Sequence, residues 1–292
     1  AIRLADEIVG AIPCAENVRF CSTGSEATLY AMRAARAFRG RDKILKFEGG
    51  FHGMNDYALM SMGPSNPAPF PQAVPDSAGI PKSIQEEMLI APFNDIETTT
   101  AIIQRHHDEI GGVIVEPFQR LIPPKQGFLE DLREITEHYQ IPLIFDEVVT
   151  GFRFGYGGAQ EFYGVTPDLC SLGKAVAGGF PLTAIAGRQE ILAHLDAGSV
   201  ETEEFMPQIG TLSGNPIAAS AGLKTLEILR REGTYDRIFA TGNRIKDALQ
   251  RLLDEAEIPA KVVGEAPVFD VFFTENDVTD YRSTLRADSK TL

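Results

Sequence analysis

The chain of 292 residues is 43% hydrophobic and 23% charged, proportions that suit a globular protein with a substantial core and exclude a predominantly disordered one. Its net charge of -14, from 41 acidic and 27 basic residues spread without long blocks, opposes binding along a nucleic-acid backbone. No apolar run reaches the ~20 residues of a membrane-spanning helix, and the opening residues lack a signal peptide's basic and apolar regions. The expectation is a cytoplasmic protein with neither nucleic acid nor membrane as partner.

Ile2, Ala5, Ile8, Val9 and Ile12 recur at helical spacing, so a helix is predicted before Pro13, followed by a short strand at 18–21. Ser25-Glu26-Ala27 opens a second helix, with a serine read as its cap, whose alanine-rich run to Phe38 suits close packing and whose stop is Gly40. Apolar runs at 43–47, 112–116, 142–146, 169–172 and 183–186 alternate with helical patterns such as 129–139, which predicts an α/β fold with a mostly parallel central sheet. Between 63 and 90 prolines and small residues dominate without a sustained period, and the stretch reads as an excursion loop near a functional edge. A long helix is expected from 216 to about 231 and another over 235–256, then strands near 261–263 and 268–273. These look like the start of a second, smaller domain, and 285–292 supplies no closing element. Cys14, Cys21 and Cys170 offer neither a disulfide framework nor a metal site and read as buried small apolar side chains.

Three features carry chemistry. Ser22-Thr23-Gly24-Ser25 is a small-residue turn between a strand and a helix, where free backbone N–H groups and the positive helix end can hold a phosphate. The strand ending in Asp146-Glu147 delivers carboxylates to its carboxyl end, suited to a cationic ring nitrogen, a metal or a structural salt bridge. Lys174, after Ser171-Leu172-Gly173 and before small residues that include Gly178 and Gly179, sits in a setting expected to desolvate an amine and make it nucleophilic toward an aldehyde. Each has a bland reading: a capped helix, an ion pair, a solvated lysine.

Together, Phe20-Cys21-Ser22-Thr23-Gly24-Ser25-Glu26-Ala27, Phe51-His52-Gly53, Val115-Glu116-Pro117, Asp146-Glu147-Val148, Leu172-Gly173-Lys174 and Gly210-Thr211-Leu212-Ser213-Gly214-Asn215-Pro216 resemble the class III pyridoxal-phosphate aminotransferases. Within them the chain is most similar to glutamate-1-semialdehyde 2,1-aminomutase-like members. The resemblance spans about 12–229 and implies an aspartate-aminotransferase-like (fold type I) large domain at 1–232, the start of a small C-terminal domain at 233–292, and a homodimer with shared active sites. It implies pyridoxal 5'-phosphate as cofactor, with Lys174 as its Schiff-base lysine and later the proton shuttle, and Asp146 paired with the ring nitrogen. Gly24 and Ser25 would bind the phosphate, Phe51 and Val148 would cover the two ring faces, and Thr211 would reach the neighbouring subunit's phosphate. Glu116 would support the site from behind, and His52 is as readily structural as catalytic. The reaction implied is transfer of an amino group between a small amino donor and a carbonyl acceptor, or the intramolecular version of an aminomutase.

Departures from the family pattern are informative. Phe51 stands where many members have tyrosine, which keeps the stacking surface and loses a hydroxyl. Val149 replaces the glutamine of many plain aminotransferases, which leans toward the aminomutase branch. Phe118-Gln119-Arg120-Leu121-Ile122 replaces the small turn expected after Glu-Pro in an aminomutase, and Arg120 is either a carboxylate receptor or a surface charge. His106 and His107 read as solvated surface. Members usually carry some tens of residues before this start and a completed small domain after this end, so both ends read as truncated. A nucleotide-binding α/β module, the alternative from another class, requires a GxGxxG or GxxxxGK[ST] fingerprint, and neither occurs. A non-catalytic relative would be marked by loss of Lys174, which is present.

Overall fold

Apolar residues at helical spacing begin the chain, and in a computed structural model, which describes residues 1–287, they form α1 (Ile2–Ala11) with Leu4 and Ile8 buried. β1 (Asn17–Cys21) leads into α2 (Gly24–Arg39), which buries Ala27, Ala31, Ala34 and Ala35 and ends at Gly40, where φ of +62° is the left-handed cap that glycine adopts without a Cβ penalty. The alanine face permits close approach: a Cβ on Gly112 would lie 2.9 Å from that of Ala35. There follow β2 (Lys43–Phe47), α3 (Lys82–Glu86), β3 (Met88–Ala91), α4 (Ile96–His106), β4 (Ile110–Val115), α5 (Phe128–His138) and β5 (Leu143–Glu147). Then come α6 (Gly158–Tyr163), β6 (Leu169–Leu172), a 3-10 turn at Lys174–Ala177, β7 (Thr183–Gly187) and α7 (Gln189–Leu192). The chain continues with α8 (Pro216–Leu229), α9 (Thr234–Glu255), β8 (Lys261–Glu265), β9 (Val268–Phe272) and α10 (Tyr281–Thr284).

Seven strands form one sheet in the order β1-β7-β6-β5-β4-β2-β3, with β7 antiparallel to both neighbours and every other pair parallel. Successive residues on a strand point to opposite faces. Ile44, Ile114 and Ile144 accordingly join the α2 alanines on one side, while Leu45, Val113, Val115, Leu143 and Phe145 build the core on the other. With both faces covered, the central strands are apolar throughout, as the runs in the sequence imply. Because β7 alone reverses, the carboxyl ends of β1, β2, β4, β5 and β6 and the start of β7 share one edge.

Several expectations are corrected here. The cap of α2 is Thr23, not a serine: Thr23 Oγ1 accepts from Glu26 N, and the Glu26 carboxylate accepts from Ser22 N and Thr23 N. The 63–90 stretch holds α3 and the start of edge strand β3, which a four-residue strand in proline-rich surroundings hides from a periodicity search. His106 and His107 are half-buried: His106 Nδ1 lies 2.9 Å from Glu109 Oε1, and His107 stacks on Tyr139 at 4.5 Å. The three cysteines are buried and unpaired. The expected boundary at 232 falls between α8 and α9, and β8 and β9 form a separate two-stranded sheet. Of the terminal stretch expected to lack a closing element, 288–292 lie outside the described residues. Among the described residues no helix is long and apolar enough to cross a membrane.

Candidate active site

At the shared sheet edge, the carboxylates that end β5 part company. Asp146 faces a cavity of about 300 Å³; its Oδ2 lies 2.8 Å from His52 Nδ1, and its Oδ1 accepts from Ser171 Oγ at 2.7 Å and Val148 N at 3.2 Å. Glu147 points to the other face and accepts from Ala159 N at 2.6 Å and Thr150 Oγ1 at 3.0 Å, which anchors the chain entering α6. Burial pushes the Glu147 carboxyl up to about 6. Neither acid meets a lysine or arginine among the described residues, so the ion pair weighed for this strand end is instead Asp146 with His52. His52 is 1% exposed, and burial lowers its pKa against the opposing bond to Asp146. A neutral ring that donates from Nδ1 to the carboxylate leaves Nε2 as an acceptor, and Nε2 is buried without a partner.

Across the cavity, α2 presents its N-terminus. The capping box consumes the amides of Ser22, Thr23 and Glu26, whereas those of Gly24 and Ser25 have no acceptor among the described residues. Ser25 Oγ accepts from Met54 N at 3.0 Å, so its own hydrogen is free to donate. Gly53 makes that approach possible: its φ is +91°, and a Cβ there would fall 2.5 Å from Ser25 Oγ. Two free amides, a hydroxyl and a helix dipole form an anion site of the expected kind.

Phe51, 41% exposed, and half-buried Val148 both line the cavity, Val148 resting against Gly24 and Gly173. Glu116 is buried and accepts from Phe51 N at 2.8 Å; burial, reinforced by the Asp146 charge, raises its pKa to about 8, so it is a neutral acid near pH 7. Lys174 lines the cavity from the turn after β6 with a left-handed φ of +47°, a conformation that costs a non-glycine residue roughly 1–3 kcal/mol and is retained most often at functional sites. Its desolvation is a correction: the residue is exposed, although Val176 and Ala177 beside it are buried. Thr211 is exposed and is not part of the cavity wall. Eight of the nine expected residues thus meet around one space, and Thr211 does not.

A family model described as aminotransferase class-III matches residues 1–288. The chain belongs to the class III aminotransferases. Within this family it is 40% identical over 290 residues to a glutamate-1-semialdehyde 2,1-aminomutase of Natranaerobius thermophilus, and 42% identical over 297 residues to one of Methanocaldococcus jannaschii. Those matches cover 98% and 99% of this chain but 65% and 66% of the relatives, so the chain spans slightly less than two thirds of their length. Among solved structures, an omega-transaminase from Sphaerobacter thermophilus superposes with a TM-score of 0.91 at 37% identity, covering 97% of this chain and 65% of that one. A β-phenylalanine aminotransferase from Variovorax paradoxus gives a TM-score of 0.83 at 29% identity, covering 99% and 63%.

One residue of this family member's site escaped the sequence reading. Lys46, in the middle of β2, is wholly buried and donates to Gly50 O, Ala58 O and Met60 O at 3.0, 2.8 and 2.7 Å. It clamps the loop that carries Phe51 and His52. Burial pulls its pKa down to about 7, while three carbonyl acceptors favour the ammonium, which alone has three N–H donors. A lysine within Ile44-Leu45-Lys46-Phe47 was the available signal, since lysine is almost never fully buried without partners. Arg120, left open between two readings, lines a second cavity beside the first, with its guanidinium 6.0 Å from the Phe51 ring centre.

Proposed function

We propose that the intact protein is a pyridoxal-phosphate aminotransferase that moves an amino group from a small amino donor to a carbonyl acceptor. The observation that carries this is the meeting of Lys174, Asp146 and the free amides of Gly24 and Ser25 around one cavity. The residues fit the cofactor's three functional groups. Gly24, Ser25 and the helix end suit its phosphate. A carboxylate offers about four acceptor positions, and His52, Ser171 and Val148 occupy three of those on Asp146, which leaves one for a protonated ring nitrogen. Lys174, without a hydrogen bond or ion pair among the described residues, is free to meet the aldehyde.

When bound, pyridoxal phosphate supplies a carbonyl that takes up amines and a protonated ring that withdraws electrons from the neighbouring carbon. Asp146 would favour a protonated ring nitrogen, and His52 and Ser171 hold Asp146 in place. Phe51 and Val148 would lie against the ring and exclude water from it, and Glu116 fixes Phe51 through its amide. Lys174 would bind the carbonyl through its amine and, when free, would hold or move a proton at carbon atoms within its reach.

The reading includes a homodimer and a division of the chain near 232 into a large and a small domain. Ile2, Ile209, Leu212 and Ile217 are 80%, 90%, 60% and 69% exposed around the turn that bears Thr211, apolar surface that supports a subunit contact bringing Thr211 to the partner's phosphate. The intramolecular reaction of an aminomutase is the second reading, favoured by 40% and 42% identity to proteins of that name. Purified full-length protein is expected to show a visible cofactor band that borohydride bleaches, with a covalent label on Lys174. Assays with glutamate 1-semialdehyde, and with a panel of amine donors against pyruvate or 2-oxoglutarate, separate the two readings. A protein that takes up no cofactor would refute both.

A further inference from the structure

Beside the proposed cofactor cavity lies a larger one of about 580 Å³ that shares Phe51, Glu116 and Val149 with it and is also lined by Phe272 and Tyr281. Its wall is mainly hydrocarbon, with Phe118, Leu121 and Ile122 added to those residues. Arg120 is the one cation among its lining residues. This guanidinium is exposed and has no hydrogen bond or ion pair among the described residues. Neither acid of the cavity wall forms an ion pair with it: Glu116, raised to about 8 by burial against the opposing pull of Arg120 itself, bonds Phe51 N, and Asp270 accepts from Val271 N.

The backbone that carries Arg120 is strained. Gln119 and Ile122 exchange two hydrogen bonds, at 3.0 and 2.9 Å, across a two-residue hairpin whose central residues Arg120 and Leu121 have φ of +49° and +74°. Such a turn favours asparagine and glycine, which reach positive φ at little cost. Gln119 pins the hairpin from below: it is 1% exposed, and its Nε2 donates to Glu48 O at 2.8 Å. A strained, pinned turn therefore holds one cation without an ion pair on the wall of a largely apolar cavity, beside the Phe51 ring that the proposed cofactor site shares.

We propose that Arg120 receives the carboxylate of the substrate and that the cavity takes its apolar side chain, so that the substrate class is an amino acid with an apolar side chain rather than a small polar one. The proposal rests on the aminotransferase reading above. A guanidinium pairs with a carboxylate through two parallel N–H bonds, which would set the orientation of the substrate as well as hold it.

The test uses full-length protein loaded with cofactor and two unreactive probes, 3-phenylpropanoate and its neutral amide, titrated by calorimetry. Wild type is expected to prefer the carboxylate. Arg120→Gln should weaken 3-phenylpropanoate about 10- to 100-fold, with the amide unchanged within about twofold, and Arg120→Lys should recover part of the loss. Arg120→Gly should lose the same preference yet raise the thermal midpoint, because glycine relieves the positive φ. A purely structural arginine would lower it. Equal binding of both probes by wild type, or an unchanged 3-phenylpropanoate affinity in Arg120→Gln, overturns the proposal while the cofactor band on Lys174 still stands. Absence of that band overturns the aminotransferase reading, and this inference with it, before any titration begins.

Discussion

Two lysines stand at the same sheet edge, and their surroundings differ in every respect. Lys46 is buried within β2, with all three hydrogens taken by carbonyls of the loop it holds. Lys174 follows β6 on a left-handed turn, exposed and without a bonded partner among the described residues. The contrast separates two uses of one side chain: an amine with saturated donors is a fastener, and an amine left free in a strained turn is available for chemistry.

Mutation can break that contrast most sharply at the free lysine. Lys174→Ala is expected to lower kcat at least about 10³-fold, since the proposed attachment point and proton carrier both go, while an exposed site leaves the denaturant midpoint nearly unchanged. Residual transamination near the wild-type rate would remove Lys174 from the mechanism. Asp146→Asn should cost about 10²-fold in kcat, because a neutral amide no longer favours a protonated ring nitrogen, and steady-state rates on loaded enzyme measure it.

The fastener should behave in the opposite way. Lys46→Met is expected to lower unfolding free energy by about 1–3 kcal/mol, since three buried carbonyls lose their donor, and to loosen the loop bearing Phe51. Urea denaturation together with cofactor affinity checks both effects. A subtler sharpening uses Glu116, which bonds that same loop. Its folded pKa of about 8 exceeds the ordinary 4.5, so the folded chain binds the extra proton between those values and this stabilisation is lost as pH rises through about 8. Glu116→Gln should therefore remove a downward contribution to stability between pH 6 and 8, a window in which Glu147, at about 6, and Lys46, at about 7, also titrate but do so in both proteins. The change is about 1.4 kcal/mol per pH unit at most. Parallel pH profiles for variant and wild type would dispose of the assignment.

Much of this was legible without coordinates, for reasons that can be named. β2 and β6 were read to the residue because doubly covered strands are short apolar runs with sharp ends. The gathering of Gly24, Asp146 and Lys174 was accessible because open parallel sheets place such residues at one edge, although they lie far apart in the chain. What was missed is tertiary. No local pattern reveals that Lys46 finds three carbonyls, that Glu147 turns away to anchor α6, or that His52 grips Asp146. Thr23 rather than a serine caps α2 because neighbouring hydroxyls are equivalent in propensity and differ only in the entry angle of the chain. The exposure of Lys174 was misjudged for a similar reason: small neighbours imply tight packing only where something packs on them.

The reversal at β7 has a mechanical consequence. The segment that bears Lys174 leaves the sheet at Leu172 and returns at Thr183, directly beside its point of departure, and the Thr183 hydroxyl fastens to Thr23 O at 2.9 Å. Both feet of that arch therefore stand on the framework that holds the anion turn. On the proposed reading, a displacement of the lysine would therefore be felt at the turn assigned to the phosphate, and the reach of the amine and the hold on the anion are expected to shift as one unit.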